Sequence, residues 1–258
     1  MTPAGAPVPI GRYYPDAGDP QAPADVAVAI PTVLRPVLRH AVESVYAQAM
    51  GGGRVQLLVG VDRPGPADEL DRLLAARPPH VSAISVLLPF STSQRNGGVH
   101  PAMDGGALRP IMGLMANARH LAFLDDDNRW RPDHLPRLLA AVHGKLWAYA
   151  QRVLVMEGTG EELALDRWDS VGPGRGRFAS QGGFVDPNCL LVDKVACARV
   201  LGRWTENGTA RPGVDNDRFF FSAIREAPHG RVDEATVLYT VRPTNVLLRF
   251  MREGREFA

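Results

Sequence analysis

Apolar runs of strand length alternate with stretches of helical periodicity through the first half of the chain. The runs are short and continuously apolar, as in strands that are buried on both faces of a sheet. The predicted strands cover residues 25–30, 55–61, 81–88 and 120–124. The predicted helices cover residues 34–50, 68–77, 108–119 and 132–143. Strands and helices that alternate through short connections predict an α/β fold with a mainly parallel sheet and right-handed crossovers.

The second half of the chain is less regular. Its predicted strands cover residues 146–156, 184–192 and 231–241, and its predicted helices cover 193–201, 215–226 and 244–253. Residues 158–183 are rich in glycine and charge, which is typical of a loop or lid. Residues 1–25 are rich in Pro, Gly, Ala and Asp without periodicity, and they predict a loose N-terminal arm. The remaining residues, 26–258, are predicted to form one domain.

The apolar run over 120–124 ends in three consecutive carboxylates, Asp125, Asp126 and Asp127. Adjacent acids repel one another and lose hydration when they are buried. A bound cation explains their clustering, and oxygen-only ligands suit a hard ion such as Mg²⁺ or Mn²⁺. Ligands of open α/β sheets bind at the carboxyl ends of strands, where these acids lie. The triplet therefore predicts a metal site, with a cap for the helix that starts near Pro132 as the structural alternative.

Charge and cysteine content narrow the class of protein. The formal net charge is +1, so we expect no general nucleic-acid binding. Cys189 and Cys197 lie in apolar surroundings without a C-x-x-C motif, which predicts free thiols in a reducing compartment. We expect a cytoplasmic protein, since no apolar run reaches the ~18 residues of a membrane span and no signal peptide is recognisable. The predicted helix over 244–253 mixes apolar and arginine residues, which allows peripheral membrane contact or packing onto the core.

The order of these features resembles family 2 glycosyltransferases with the GT-A fold, over roughly residues 26–242. The segments that carry the resemblance are Val26–Thr32 with Arg35, Val55–Asp62, Ala107–Leu114, Phe123–Asp127 and Gly213–Asp217. The fourth segment matches the family's D-x-D signature, and the last resembles its late acidic motif. The resemblance implies a Rossmann-like GT-A domain with a nucleotide-binding half (26–127) and a mixed acceptor-binding half (128–258). It also implies sugar transfer from a nucleotide-sugar donor, with a UDP-sugar favoured, to an acceptor hydroxyl.

By the same resemblance, site roles fall on particular residues. Asp127, helped by Asp125, would hold Mn²⁺ or Mg²⁺ against the leaving diphosphate, and His229 is a further candidate ligand. The nucleotide-binding set is Pro31, Thr32, Arg35, Asp62, Arg109, Asp125 and Asp126. Within that set, Asp62 would contact the base, and Arg109 has a guanidinium that suits a phosphate. Trp204 would stack on an acceptor sugar.

The acceptor hydroxyl needs a carboxylate that takes its proton. Asp215 is the preferred candidate for this base, and Asp217 is the second. An inverting, in-line displacement places the base opposite the leaving group, so the base must come from a different segment than Asp127. The position of Asp215 late in the chain satisfies this requirement, and a retaining mechanism stays open as the alternative.

Structural and functional alternatives remain open at this stage. The structural ones are a turn for Asp62, a salt bridge for Arg109, a core position for Trp204, a helix cap for Asp215, a first-turn acid for Asp217 and a structural histidine for His229. A sugar-nucleotide nucleotidyltransferase is a second candidate function, although Val33–Pro36 replaces the Gly-rich basic segment typical of such enzymes. A catalytically degenerate nucleotide-binding or interaction protein is a third, because Pro110 and Val214 depart from the family pattern.

Overall fold

The computed structural model describes residues 10–63, 65–102, 105, 107–206 and 216–257. The strands are β1 (Gly11–Tyr14), β2 (Ala24–Thr32), β3 (Val55–Val61), β4 (Val81–Leu87), β5 (Ala118–Phe123), β6 (Arg129–Trp130), β7 (Trp147–Met156), β8 (Glu162–Leu165), β9 (Gly172–Pro173), β10 (Gly183–Phe184), β11 (Leu190–Asp193) and β12 (His229–Val241). The α-helices are α1 (Leu38–Tyr46), α2 (Asp68–Ala75), α3 (Leu108–Met115), α4 (His134–Ala141), α5 (Asn216–Ile224) and α6 (Val246–Arg252). Short 3₁₀ turns cover Gln94–Asn96, Gly176–Gln181, Pro187–Cys189 and Ala198–Thr205.

Four adjacent parallel strands, in the order β4-β3-β2-β5, form the first half of the main sheet. Every residue of β3 is buried, as is β2 from Val26 onward, which explains their continuously apolar sequences. The predicted parallel arrangement of this half is therefore confirmed. The chain moves outward from β2 to β4 and then returns to the other side of β2 at β5. The strand order thus reverses beside β2, which is where open α/β sheets form a crevice for ligands.

The same sheet continues into the second half with mixed directions. Strand β11 lies antiparallel to both β5 and β7, whereas β12 lies parallel to β7 and antiparallel to β6. With β1 at one edge and β8 on β7, the main sheet has ten strands within the described residues, and β9 and β10 form a separate pair. The protein is therefore a mixed α/β fold in which one sheet spans both halves.

The prediction of a loose arm over 1–25 is wrong for the part that the structure describes. Gly11–Tyr14 form β1, which pairs antiparallel with β4 at the edge of the sheet. The Tyr14 hydroxyl donates to Asp71 at 2.6 Å, and Arg54 donates to Asp16 at 2.8 Å. These contacts with distant residues fix the segment, and local composition does not reveal them. Residues 1–9 lie outside the described part of the chain.

Several predicted elements differ from the structure in their bounds or type, as three of them show. Helix α1 starts only at Leu38, because Leu34 adopts a positive φ and Pro36 disfavours helical backbone before it. The strand predicted over 184–192 is broken by a 3₁₀ turn at Pro187–Cys189, whose N-cap Asp186 accepts from the backbone N–H of Asn188 at 2.9 Å. The helix predicted over 193–201 is a 3₁₀ turn at Ala198–Thr205.

The C-terminal helix α6 packs on the protein. Leu247, Leu248 and Phe250 are buried in a small apolar cluster with Leu154 and Trp168. Its apolar side is therefore covered, in agreement with the predicted alternative of packing onto the core. None of the helices in the described part of the chain has the length and apolar character needed to span a membrane.

Candidate active site

A cavity of about 660 Å³ opens at the carboxyl ends of β2, β3 and β5. Thr32 at the end of β2, Asp62 after β3 and the three acids after β5 line it, as the strand ends predicted. The charged lining residues in the described part of the chain are Arg35, Asp62, Arg63, Arg95, Arg109, Asp125, Asp126, Asp127, Asp186, Asp217 and Arg242. Arginines suit phosphates and carboxylates accept from hydroxyls, so this mixture of charges suits a phosphorylated sugar or nucleoside.

Arg35 lies across the acid triplet. Its guanidinium donates to Asp126, and to Asp127 at 3.0 Å. Asp126 is only 2% exposed and also accepts from the Thr32 hydroxyl at 2.6 Å. Arg35 therefore neutralises part of the negative charge of the triplet, for which the sequence predicted a bound cation. These carboxylates bind Arg35 and Thr32 rather than cap α4, which begins at His134.

Asp127 has an environment that disfavours its ionised form. Burial, followed by the negative charge of Asp125, raises the pKa of Asp127 to about 6, and Arg35 opposes this shift. A divalent cation would remove the repulsion, because an opposite charge favours the ionised carboxylate. The side chains of Asp125 and Asp127 are each 30% exposed, so ligands in the cavity can reach both.

The candidate metal ligands at the cavity fit a cation that binds together with a phosphorylated ligand. In the described part of the chain, no three His, Cys, Asp or Glu side chains are grouped so that they could hold a metal by themselves. Asp125 and Asp127 nevertheless provide carboxylate oxygens at the cavity. Mg²⁺ in nucleotide sites is usually held by one or two carboxylates plus substrate phosphates. A diphosphate would complete such a ligand set.

Arg109 and Trp204 form one packed unit beside the triplet. Arg109 donates to Asp125, and its guanidinium lies 5.0 Å from the centre of the Trp204 ring. Trp204 is fully buried, with its ring stacked on Phe220 at 4.5 Å and tilted against Phe123 at 5.0 Å. A side chain without exposed surface cannot stack on an acceptor sugar. The predicted acceptor contact of Trp204 is therefore wrong, and this tryptophan packs beneath Arg109.

The segment after β2 contains a strained residue. Leu34 has φ of 63°, the single positive value among the described non-glycine residues, and a bulky side chain rarely adopts this conformation. The Thr32 hydroxyl accepts the backbone N–H of Leu34 at 2.9 Å. This tight turn directly precedes Arg35, which reaches the triplet, and Pro31 lines the cavity beside it. The predicted residues Pro31, Thr32 and Arg35 thus lie together on one wall of the cavity.

Asp62 holds the segment that follows β4. Its carboxylate accepts from the backbone N–H of Thr92 at 2.9 Å, from the Ser91 hydroxyl at 3.0 Å and from the Thr92 hydroxyl. The side chain is 4% exposed and lines the cavity. Asp62 therefore anchors the cavity wall, and any contact with a nucleobase adds to that role.

Asp217 enters the cavity from the second half of the chain. It lies in the first turn of α5, and its carboxylate accepts the backbone N–H of Arg218 at 2.8 Å. Burial, followed by the charge of Asp186, raises the pKa of Asp217 to about 7. A carboxylate with such a pKa can accept a proton near neutral pH. Asp215, the preferred base in the sequence, lies outside the described residues.

His229 lies outside the cavity, three strands away from β5. It starts β12, where it pairs with Trp147 and stacks on that ring at 4.5 Å. Tyr239, near the other end of β12, lines the cavity. β12 is bulged along this stretch, and its partner β7 covers the same length in seven residue steps, from Trp147 to Leu154. At about 3.3 Å per residue, His229 and Tyr239 are therefore roughly 23 Å apart. The predicted metal ligation by His229 is therefore wrong.

Sequence reasoning missed Asp186, which lines the cavity, and the buried Arg152 and Asn188 that contact it. Arg152 is fully buried, and it donates to Asp186 at 2.6 Å and to Asp166 at 2.8 Å. A lone arginine within an apolar strand is a usable signal, because a buried charge needs partners. Asp186-Pro187-Asn188 within a predicted strand is a second signal, because proline interrupts sheet pairing.

Comparisons with known proteins show a similarity of fold alone. No protein-family model matches the sequence, and no curated protein matches it. S. aureus TarS 1–349 has a TM-score of 0.60 at 13% identity, covering 84% of this chain and 60% of that chain. The Pyrobaculum calidifontis mannosyltransferase PcManGT, solved with GDP-Man and Mn²⁺, has a TM-score of 0.54 at 14% identity, covering 88% of this chain and 58% of that chain. This chain therefore shares its fold with these proteins and spans about three fifths of their length.

Proposed function

We propose that this protein is a metal-dependent glycosyltransferase of the GT-A type, using a nucleotide-sugar donor and an acceptor hydroxyl. One observation carries the proposal. The acid triplet after β5 shares a single cavity with the ends of β2 and β3 and with Asp217 from the second half. A donor diphosphate and an attacking hydroxyl can be held together in such a site, which makes their reaction effectively unimolecular.

The ligands of the structural neighbours support a nucleotide-sugar donor. TarS 1–349 has been solved with UDP and with UDP-GlcNAc, and the mannosyltransferase with GDP-Man and Mn²⁺. We favour a UDP-sugar for this chain, with a GDP-sugar second. Membership of family 2 is part of the proposal, and it rests on the motifs from Val26–Thr32 to Gly213–Asp217.

Residues of the first half would bind the donor. Pro31, Thr32 and Asp62 line the end of the cavity formed by β2 and β3, so we assign them to the nucleobase. Asp126 and Asp125 would accept hydrogen bonds from the ribose hydroxyls. Arginine forms charge-assisted, often bidentate hydrogen bonds to phosphate oxygens. We therefore assign the diphosphate to Arg35 and Arg109, which line the cavity and donate to carboxylates of the triplet.

Asp127 and Asp125 would hold Mn²⁺ or Mg²⁺ together with the diphosphate oxygens. When bound, the ion neutralises the negative charge that develops on the leaving diphosphate. Arg35, which donates to Asp127 at 3.0 Å, shares this carboxylate and keeps the acids compensated before the donor binds.

A carboxylate from α5, or directly before it, would activate the acceptor. Asp217 faces the same cavity from the second half, and its raised pKa suits a group that removes a proton from a hydroxyl. Asp215 is the alternative base. A base across the cavity from the triplet is the arrangement that an inverting, in-line displacement needs, so we propose inversion at the sugar carbon.

We place this reaction in the cytoplasm. Cys189 and Cys197 are both free and buried. Burial raises the pKa of both thiols, and it raises that of Cys197 to about 12. Unpaired thiols persist in reducing compartments.

Calorimetry with UDP and GDP, each with and without Mn²⁺, tests the donor site directly. We expect one nucleotide to bind, Mn²⁺ to tighten its binding, and the Asp127→Asn variant to lose the effect of Mn²⁺ and the transfer of sugar. Asp133→Asn is the matched control, because Asp133 is a surface acid that pairs with Arg137 outside the cavity. Failure of both nucleotides to bind the wild-type protein would overturn the proposal. Release of pyrophosphate from a nucleoside triphosphate and a sugar phosphate would indicate the nucleotidyltransferase instead.

A further inference from the structure

We propose that Asn188 is a positioning residue that sets the orientation of the Asp125 carboxylate, and that buried Arg152 holds Asn188 in place through Asp186. This inference rests on the proposed function, because Asp125 is assigned there to the donor and its metal. Asn188 is fully buried and does not line the cavity, whereas Asp125 and Asp186 do. Any effect of Asn188 on a ligand must therefore pass through its neighbours.

The hydrogen bonds of Asn188 fix which way its amide faces. Its Oδ1 accepts the backbone N–H of Asp125 at 2.7 Å. Its Nδ2 donates to Asp125 Oδ2 at 2.8 Å and to Asp186 Oδ1 at 2.6 Å. A backbone N–H can only donate, so the amide oxygen must face it and the two amide hydrogens must face the two carboxylates. One amide thus joins the backbone and side chain of Asp125 to the carboxylate of Asp186.

Arg152 fixes the other end of this connection. Its Nη1 donates to Asp186 Oδ2 at 2.6 Å, and its Nε donates to Asp166 at 2.8 Å. The ring of Tyr239, which lines the cavity, covers the guanidinium at 3.8 Å. Since the Arg152 side chain has no exposed surface, its hydrogen bonds lie in a medium of low dielectric constant, where they are strong. Asp186 is therefore held firmly on one oxygen while the other faces Asn188.

The chain of contacts crosses from the second half of the protein to the first. It runs from Arg152 through Asp186 and Asn188 to Asp125, whose other oxygen accepts from Arg109. With both oxygens held, the Asp125 carboxylate cannot rotate freely, and its remaining lone pairs keep one direction toward the cavity. Hydrogen-bond partners behind ligating groups typically affect metal affinity or activity by about 10- to 100-fold.

A double-mutant cycle on nucleotide binding tests this role. The variants are Asn188→Ala, Asp125→Ala and the double variant, and the measurement is the Kd of UDP or GDP with Mn²⁺ by calorimetry. We expect Asn188→Ala to weaken binding by about 10- to 100-fold. In the Asp125→Ala background, the same change should have no further effect, because Asn188 acts through Asp125.

Cys189→Ala is the matched control for a loosened turn. Cys189 is buried in the same 3₁₀ turn, and the amide contacts of Asn188 do not involve it. We expect this variant to lower the free energy of unfolding without weakening nucleotide binding. If Asn188→Ala does not fold, Asn188→Ser replaces it in the same cycle. The serine side chain is shorter, so its hydroxyl cannot reach the carboxylates of Asp125 and Asp186 at the same time.

The outcomes separate this inference from the proposed function. If the wild-type protein binds a nucleotide and the effects of the two single changes add, Asn188 acts independently of Asp125 and the inference fails alone. Equal nucleotide affinity of the Asn188 variant and the wild type also overturns it. If the wild-type protein binds neither UDP nor GDP, both the proposed function and this inference are overturned.

Discussion

Thr32 and Asp126 are 94 positions apart in the chain, and the Thr32 hydroxyl donates to the Asp126 carboxylate at 2.6 Å. The bond joins the ends of two neighbouring parallel strands, β2 and β5. Both residues are buried, at 4% and 2% exposure. The same hydroxyl accepts the backbone N–H of Leu34 at 2.9 Å. One small side chain therefore supports both the acid triplet and the strained turn that leads to Arg35.

Replacing Thr32 by valine keeps the shape of the side chain and removes its hydrogen bonds. The variant leaves the buried Asp126 carboxylate without one donor and the Leu34 N–H without its acceptor. We expect the free energy of unfolding to fall by about 1–3 kcal/mol, which urea denaturation at neutral pH measures. We also expect weaker nucleotide binding, because the carboxylate of Asp126 loses its fixed orientation.

Thr32→Ser is the control for this prediction. Serine keeps the hydroxyl and loses only a methyl group, so most of the stability and the nucleotide affinity should be retained. Equal loss of stability in the valine and serine variants would show that the methyl packing of Thr32 matters and its hydrogen bonds do not.

Replacing Trp204 by phenylalanine distinguishes a core role from an acceptor platform. The Trp204 ring stacks on Phe220 at 4.5 Å and has no exposed surface, so a smaller ring leaves unfilled space. We expect Trp204→Phe to lower the free energy of unfolding by about 1–2 kcal/mol in urea denaturation. An exposed platform for a sugar would contribute little to folding, so unchanged stability would contradict the core position.

The parallel strands and the location of the site follow from local sequence. The runs at β2, β3 and β5 are apolar on both faces, and a polar residue at or just after each end marks the edge of the sheet. Because Thr32, Asp62 and Asp125 each sit at such an end, their convergence on one cavity needs only the rule for parallel strands.

The parts that sequence reasoning missed depend on contacts between distant residues. The 3₁₀ turn around Asn188 is held by Arg152, which belongs to another strand, so a local pattern predicts an unbroken strand instead. The distance of His229 from the triplet depends on the pairing of β12 with β7. The burial of Trp204 depends on aromatic rings from β5 and α5. Residue type suggests a role in each case, and only the tertiary structure decides it.

His134 should weaken the protein at acid pH. Burial lowers the pKa of His134 to about 3, and its Nδ1 lies 2.7 Å from the Thr236 hydroxyl. Above pH ~6.5 the ring is neutral in both the folded and unfolded states. Below that pH the unfolded chain binds a proton that the folded protein does not, so stability falls by about 1.4 kcal/mol per pH unit down to pH ~3.

Urea denaturation from pH 7 to pH 4 measures this contribution of His134. The wild-type protein should lose about 2 kcal/mol more than the His134→Asn variant between pH 7 and pH 5, because asparagine does not titrate. Parallel curves for the two proteins would mean that His134 is accessible to protons in the folded state.

Asp217 should set the acid limb of the pH–rate profile if it is the base. Its pKa is raised to about 7, so the ionised fraction, which alone can take a proton, falls as the pH drops below that value. We expect kcat/KM for sugar transfer to be half-maximal near pH ~7, to level off above pH ~8 and to fall about tenfold per pH unit below pH ~6. Asp217→Asn should abolish transfer while nucleotide binding with Mn²⁺ persists in calorimetry, because the donor contacts lie on the first half of the chain. If the Asp217→Asn variant retains transfer with the same acid limb and Asp215→Asn abolishes it, the base is Asp215, and the pKa of Asp217 is raised by burial and by the charge of Asp186 without a catalytic role.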